Sequence, residues 1–218
     1  MTALAITSIT NFLLAAEVLF LAGRMSRMPK ARFSAAWYFS GVLLLLGIGA
    51  LLGGIDHGFF EPANLPRYLI QRSNWIVLGG VTFCLLMTTA TQFFAAAARR
   101  VALVAAVVQF AAFTTAALLV DSFLVVILDY APVMLLMLVM SVMGLGSGKG
   151  SGRMVAGILI LFAASGIQAA GVDLFQPLDR NGLYHLLSMM GVVFLYLGGT
   201  RLGTEAESAG RRTYRIRG

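Results

Sequence analysis

Residues 101–145 read VALVAAVVQFAAFTTAALLVDSFLVVILDYAPVMLLMLVMSVMGL, with Asp121 and Asp129 as the only charged side chains. Wound as one helix, this stretch would extend about 68 Å, more than twice the ~30 Å hydrocarbon core of a bilayer. It must therefore reverse. Asp121-Ser122 is the pair suited to a turn, with Asp121 expected as the N-cap of the helix that follows. Two membrane spans result, 101–120 and 122–145.

The same reading outward gives five more spans of about 20 apolar residues: 3–23, 33–54, 75–98, 154–175 and 183–202. Residues 1–23 lack a basic leading segment and a small-residue cleavage site, so they read as a retained first helix. The composition agrees: 59% hydrophobic, 11% charged and a mean hydropathy of +0.88, where a soluble domain carries about 25% charge. The expected fold is an all-α, seven-transmembrane-helix bundle over residues 1–202, followed by a basic tail, 203–218.

Charge placement supports the helix count independently. Thirteen of the 16 basic residues fall in alternate connections: Arg24, Arg27, Lys30 and Arg32; Arg99 and Arg100; Lys149 and Arg153; and Arg201, Arg211, Arg212, Arg215 and Arg217. Only Arg67, Arg72 and Arg180 lie on the other side. Positive charge resists translocation, so the basic side is expected in the cytoplasm, with the N-terminus outside. The expected location is a bacterial-type inner membrane. The net charge of +7 is then an orientation and lipid-headgroup signal. No basic, aromatic-interleaved domain points to nucleic acid.

Other motifs are quickly bounded. GLGSGKGSG (144–152) has a glycine-rich look, but phosphate-loop spacing puts Met143 where the first glycine belongs and Gly150 where Ser or Thr should follow Lys149. A nucleotide site is not expected. Lys30 and Lys149 are the only lysines, both in connections, so a retinal Schiff base is not expected either. Cys84 reads as a small buried hydrophobe. The segment 56–74, with Pro62, Pro66, Phe59, Phe60 and Tyr68, reads as a surface-lying connection.

Ionisable groups inside spans need partners or a wet cavity. Glu17 shares a helix face with Thr10, seven residues away. Thr82, Thr89, Gln109, Ser165 and Gln168 read as hydrogen-bonding groups between helices. The outer ends are richer: Asp56-His57 closes span two, Asp129 lies two turns into span five, Asp173 lies at the end of span six, and Asn181 and His185 open span seven on one face. Both histidines thus fall on one side at similar depth. Two imidazoles plus a carboxylate suit zinc with an open position for water, and an aspartate beside it serves as general base.

The segments GGIDHGFF (53–60) and NGLYHLLSMMG (181–191) resemble the CREST superfamily of seven-helix membrane proteins, which includes alkaline ceramidases and progestin/adipoQ receptors. That pattern has a histidine ending the second span and an HxxxH opening the last. The resemblance implies zinc on His57 and His185, with Asn181 in the first HxxxH position, and cleavage of a lipid amide; with the family pattern altered, the chain either recruits Asp129 or Asp173, also the candidate catalytic carboxylates for hydrolysis of a lipid amide or ester, or is a degenerate relative without that zinc. The chain departs from the pattern at Asn181, at Gly53 in place of a serine, and at Asn74-Trp75 in place of an aspartate. Other readings stay open: a non-catalytic accessory subunit with a membrane-protein partner, a sensor for a lipid or small-molecule ligand, a transporter using Glu17, Asp129 and Asp173, and a two-histidine haem site.

Overall fold

In the computed structural model, residues 3–60, 65–171, 173 and 178–203 are described. Seven helices are long and apolar enough to cross a membrane. They are α1 (Ala3–Ser26), α2 (Ala35–Phe59), α3 (Leu65–Phe93), α4 (Ala96–Leu119), α5 (Leu124–Met143), α6 (Gly152–Ala169) and α7 (Arg180–Gly199). A 3-10 turn, Leu145–Ser147, follows α5. The expected basic tail lies, from residue 204 onward, outside the described residues.

Hydrogen bonds between helix ends define an up-and-down bundle. Asp56 at the end of α2 meets Arg67 at the start of α3. Arg72, near the start of α3, meets the end of α4. Gln168 at the end of α6 meets Asn181 at the start of α7. At the opposite end, Gln92 of α3 reaches the backbone of Lys149 just before α6. Helix α1 packs on α2 and α7, α2 on α3, α3 on α5, and α6 on α7, while α4 lies against α3. Val101, Val104, Val107, Val108, Leu118 and Leu119 on α4 are exposed, the face a peripheral helix turns to lipid.

The helix starts follow from local chemistry. Ser34, Ser151 and Asp179 accept backbone N–H bonds from Trp37, Met154 and Gly182, occupying donors that a helix start leaves unpaired. Helix α6 stops at Ala169, six residues before the expected end of its span, because Gly171 takes a left-handed turn (φ +69°).

Three helix starts also differ from expectation. Helix α3 begins at Leu65, so most of the expected surface connection is helix. Pro66 sits in the first turn, where its missing N–H costs nothing. At 29 residues α3 runs about 43 Å, so its first turns, with Arg67 and Arg72, rise beyond the hydrocarbon. Arg99 and Arg100 lie inside α4, and Arg99 Nε turns back to Phe94 O at 2.8 Å. Asp121 is not the N-cap of α5. That position is Phe123, without a side-chain bond, because the Asp121 carboxylate is drawn to Arg72 Nη2 at 2.8 Å.

Buried apolar and polar side chains are unevenly spread along the bundle. The main apolar core (Val18, Met25, Phe39, Leu43, Met137, Met154, Ile158, Val192) fills the half of the bundle toward the basic connections. Thr7, Ser8, Thr10, Asn11, Asp56 and His185 are buried in the other half. In a bilayer such groups persist only when paired or when they serve a site.

Candidate functional site

Helix α7 places His185 about 7 Å beyond its first residue, and the start of α7 is knitted to its neighbours. Asp179 Oδ1 accepts Gly182 N–H at 2.9 Å and the Thr7 hydroxyl of α1 at 3.3 Å. Asn181 Oδ1 accepts from Gln168 Nε2 at 3.0 Å, and Asn181 Nδ2 donates to Asp179 Oδ2 at 3.4 Å. The entry of α7 therefore cannot rotate without breaking bonds to α1 and α6.

His185 is 7% exposed. Its Nδ1 lies 2.9 Å from Thr10 Oγ1. The threonine hydroxyl has one proton and two helix carbonyls within reach, Ile6 O at 2.9 Å and Thr7 O at 3.1 Å. That proton satisfies the helix, as threonines commonly do, and the oxygen lone pair accepts from the ring. On this ground we assign the proton of His185 to Nδ1, which leaves a lone pair on Nε2. His57 and Asp179 are titratable neighbours of the His185 ring.

His57 is brought close by the small residues around it. Ser8 Oγ of α1 donates to Gly54 O at 2.8 Å. A methyl group at Gly54 would lie 2.9 Å from the Phe12 ring, and one at Gly58 would lie 2.5 Å from Ser8 Oγ. Only glycine lets α1 approach α2 at this depth. A methyl group at Gly53 would lie 3.2 Å from Asn11 Oδ1 and 3.7 Å from Asn74 Nδ2, so both amides crowd the glycine face of α2. Asn74 Oδ1 is buried with no hydrogen-bond partner among the described residues.

The residues anticipated from sequence divide into groups. His57 and His185 come together, with Asn181 one turn before His185 but committed to Gln168 and Asp179. Asp56 pairs with Arg67 Nε at 3.3 Å. Asp129 belongs to another helix group: Gln109 Nε2 of α4 donates a short hydrogen bond to it, while Thr82 of α3 donates to its own helix at Leu78 O, 3.3 Å away. Asp173 is exposed in the connection after α6 and accepts Arg180 N–H at 2.8 Å. Glu17 Oε2 is buried without a hydrogen-bond partner among the described residues. Thr89 bonds its own helix at Leu85 O and does not bridge helices. Among the described residues no three His, Cys, Asp or Glu side chains are grouped to hold a metal ion. Thr10 and Arg72 are the groups that sequence reading left without a role. Thr10 was visible only as a polar residue sharing a face with Glu17.

Fold and site together define a multi-pass, seven-helix membrane protein with a buried polar cluster at one end. A family model matches residues 6–204, and the chain belongs to that family, described as a family of unknown function (DUF6962). No curated protein and no solved structure matches the chain.

Proposed function

We propose that this protein is a membrane-embedded binding protein that receives the polar end of a lipid or lipid-like ligand among α1, α2, α3 and α7. The observation that carries this reading is the buried His185 ring, held at Nδ1 by Thr10 at 2.9 Å, which on the proton assignment above leaves an Nε2 lone pair. Such a nitrogen accepts a proton from a ligand hydroxyl or amide. The buried, unpartnered Asn74 Oδ1 offers a second acceptor, and a buried unpaired acceptor costs about 1–3 kcal/mol unless something fills it. Apolar helix faces beside the cluster suit the ligand's chain.

A second reading, the zinc-dependent lipid amide hydrolase implied by the CREST resemblance, draws on the same proton assignment. A zinc-bound histidine gives its other ring N–H to a second acceptor, the role Thr10 would fill. The described residues bring together two imidazoles, whereas a catalytic zinc takes three protein ligands. For that reason the ligand-binding reading leads.

One preparation separates the two. Lipids and metals extracted from purified wild-type protein are compared with those from Thr10→Val, His57→Ala and His185→Ala. The binding reading expects an enriched amphiphile in the wild type that falls at least tenfold in His185→Ala and Thr10→Val, with zinc below stoichiometry throughout. Stoichiometric zinc that disappears in both histidine variants would replace it with the hydrolase reading. An unchanged lipid profile in folded variants would contradict the binding reading.

A further inference from the structure

Helix α5 carries a carboxyl group that the histidine cluster does not use. At 20 residues α5 runs about 30 Å, the thickness of the hydrocarbon core. Asp129 is its sixth residue and lies about 8 Å along it. Gln109 Nε2 of α4 donates a hydrogen bond to Asp129 Oδ1, the one side-chain hydrogen bond between α4 and α5 among the described residues. The other polar atom of the same amide, Gln109 Oε1, is buried with no hydrogen-bond partner among the described residues.

A buried carbonyl oxygen without a donor is costly. An ionised Asp129 has no donor to give, because a carboxylate only accepts. A protonated Asp129 has an O–H. The two side chains then pair reciprocally: the amide N–H to one carboxyl oxygen, and the carboxyl O–H to the amide oxygen. Turning the amide over changes nothing, since the acid can offer its O–H from either oxygen.

No cation favours the charged form. Helices α3, α4 and α6 pack against α5, and their basic residues sit at helix ends. Arg67 and Arg72, in the first turns of α3, meet Asp56 and Asp121. Arg99 and Arg100 lie near the start of α4, and Arg153 opens α6. Cys84 of α3 turns to α2, where a methyl group on Gly41 would lie 3.0 Å from its Sγ. Tyr130, on α5 itself, has its hydroxyl 3.3 Å from Ser165 Oγ of α6. An ionised Asp129 would therefore stand within its span without a counter-ion, which the bilayer penalises.

We propose that Asp129 is a proton-binding site whose bound proton completes an acid–amide pair with Gln109 and fastens α4 to α5. Release of the proton removes one of the two bonds and leaves an unpaired charge between the helices. Proton occupancy thereby governs how firmly α4 is held. Neither residue belongs to the histidine cluster, so failure of the ligand-binding reading would leave this site untouched.

Infrared spectroscopy of the full-length protein in lipid nanodiscs at neutral pH is the test. Wild type should show a carboxylic-acid carbonyl band that is absent from Asp129→Asn. Carbon-13 labelling of aspartate should displace the band, which separates it from any contribution of Glu17. Asparagine keeps a donor for Gln109 Oε1 and an acceptor for Nε2, so this variant should fold as wild type does. In Gln109→Met the band should move to higher frequency, as an acid carbonyl does on losing its hydrogen bonds. Apparent melting temperature gives a second reading. The fold holds this proton more firmly than the unfolded chain does, so wild type should lose stability relative to Asp129→Asn as pH rises from acidic to alkaline. An acid band equally strong in wild type and Asp129→Asn, or absent from both, overturns the proton site. A band unmoved in Gln109→Met, or parallel melting of wild type and Asp129→Asn across the pH range, overturns its role in holding α4.

Discussion

Arg72→Ala is expected to cost about 1–3 kcal/mol of stability for each helix carbonyl it leaves unpaired, the range for a buried unsatisfied acceptor. Arg72 is 4% exposed. Its Nη1 donates to Ala117 O and Val120 O, each at 2.8 Å, satisfying carbonyls that the end of α4 would otherwise leave unpaired. The guanidinium lies over the Tyr68 and Trp75 rings, 4.8 Å and 4.4 Å from their centroids. The ion pair with Asp121 is the minor part, because that carboxylate is 80% exposed and exposed pairs contribute about 0–1 kcal/mol. Asp121→Asn should therefore cost under about 1 kcal/mol. Arg72→Lys should recover part of the loss, since an ammonium keeps the charge but cannot fork between two carbonyls. Equilibrium unfolding of the detergent-solubilised chain measures all three. A loss in Arg72→Ala no greater than in Asp121→Asn would contradict the capping role.

Gly157→Val is expected to disrupt the α6–α7 pair, at about 3 kcal/mol or more. A methyl group at Gly157 would lie 2.8 Å from both Gly191 O and Leu195 N, and one at Gly198 would lie 2.8 Å from Met154 N. These are backbone atoms and cannot move aside as a side chain would. Within a membrane, such close approach is a main source of helix association. Gly157→Ala sharpens the sign. Alanine favours a helix over glycine by about 1 kcal/mol, yet the clash should make this variant less stable than wild type. Gly166→Ala in the same helix meets nothing within 4 Å and should be neutral or stabilising. If the two alanine variants behave alike, the glycine contact is not holding the helices together.

These two devices differ in how far they can be read from the sequence. The seven spans are legible, because each is an apolar run and because basic residues alternate with them. The early start of α3 is not, since Arg67 and Arg72 depress hydropathy just where the helix begins. Once α3 is extended, the spacing Tyr68, Arg72, Trp75 sets a cation between two aromatics on one face. The partner carbonyls remain invisible, because they belong to the backbone of another helix.

The site follows the same division. That His57 and His185 share one end was readable from span order. That Thr10 bonds His185 was not, because a threonine inside a span gives no sign of whether it bonds its own helix or another. Thr89 does the first, and Thr10 does both. Asp173 and Asp129 looked like companions of the histidines by depth alone. The early end of α6 leaves Asp173 in a connection, where it accepts Arg180 N–H, and Asp129 on α5 is taken by Gln109 of α4.

The central claim is that His185 is held at Nδ1 and presents Nε2 to a ligand. Nitrogen-15 NMR of histidine-labelled protein tests it most directly, in a His57→Gln background where His185 is the only imidazole. The neutral ring should carry its proton on Nδ1 and an unprotonated Nε2, and Thr10→Val should shift the balance of the two forms. A neutral ring protonated on Nε2, unaffected by Thr10→Val, would contradict the account.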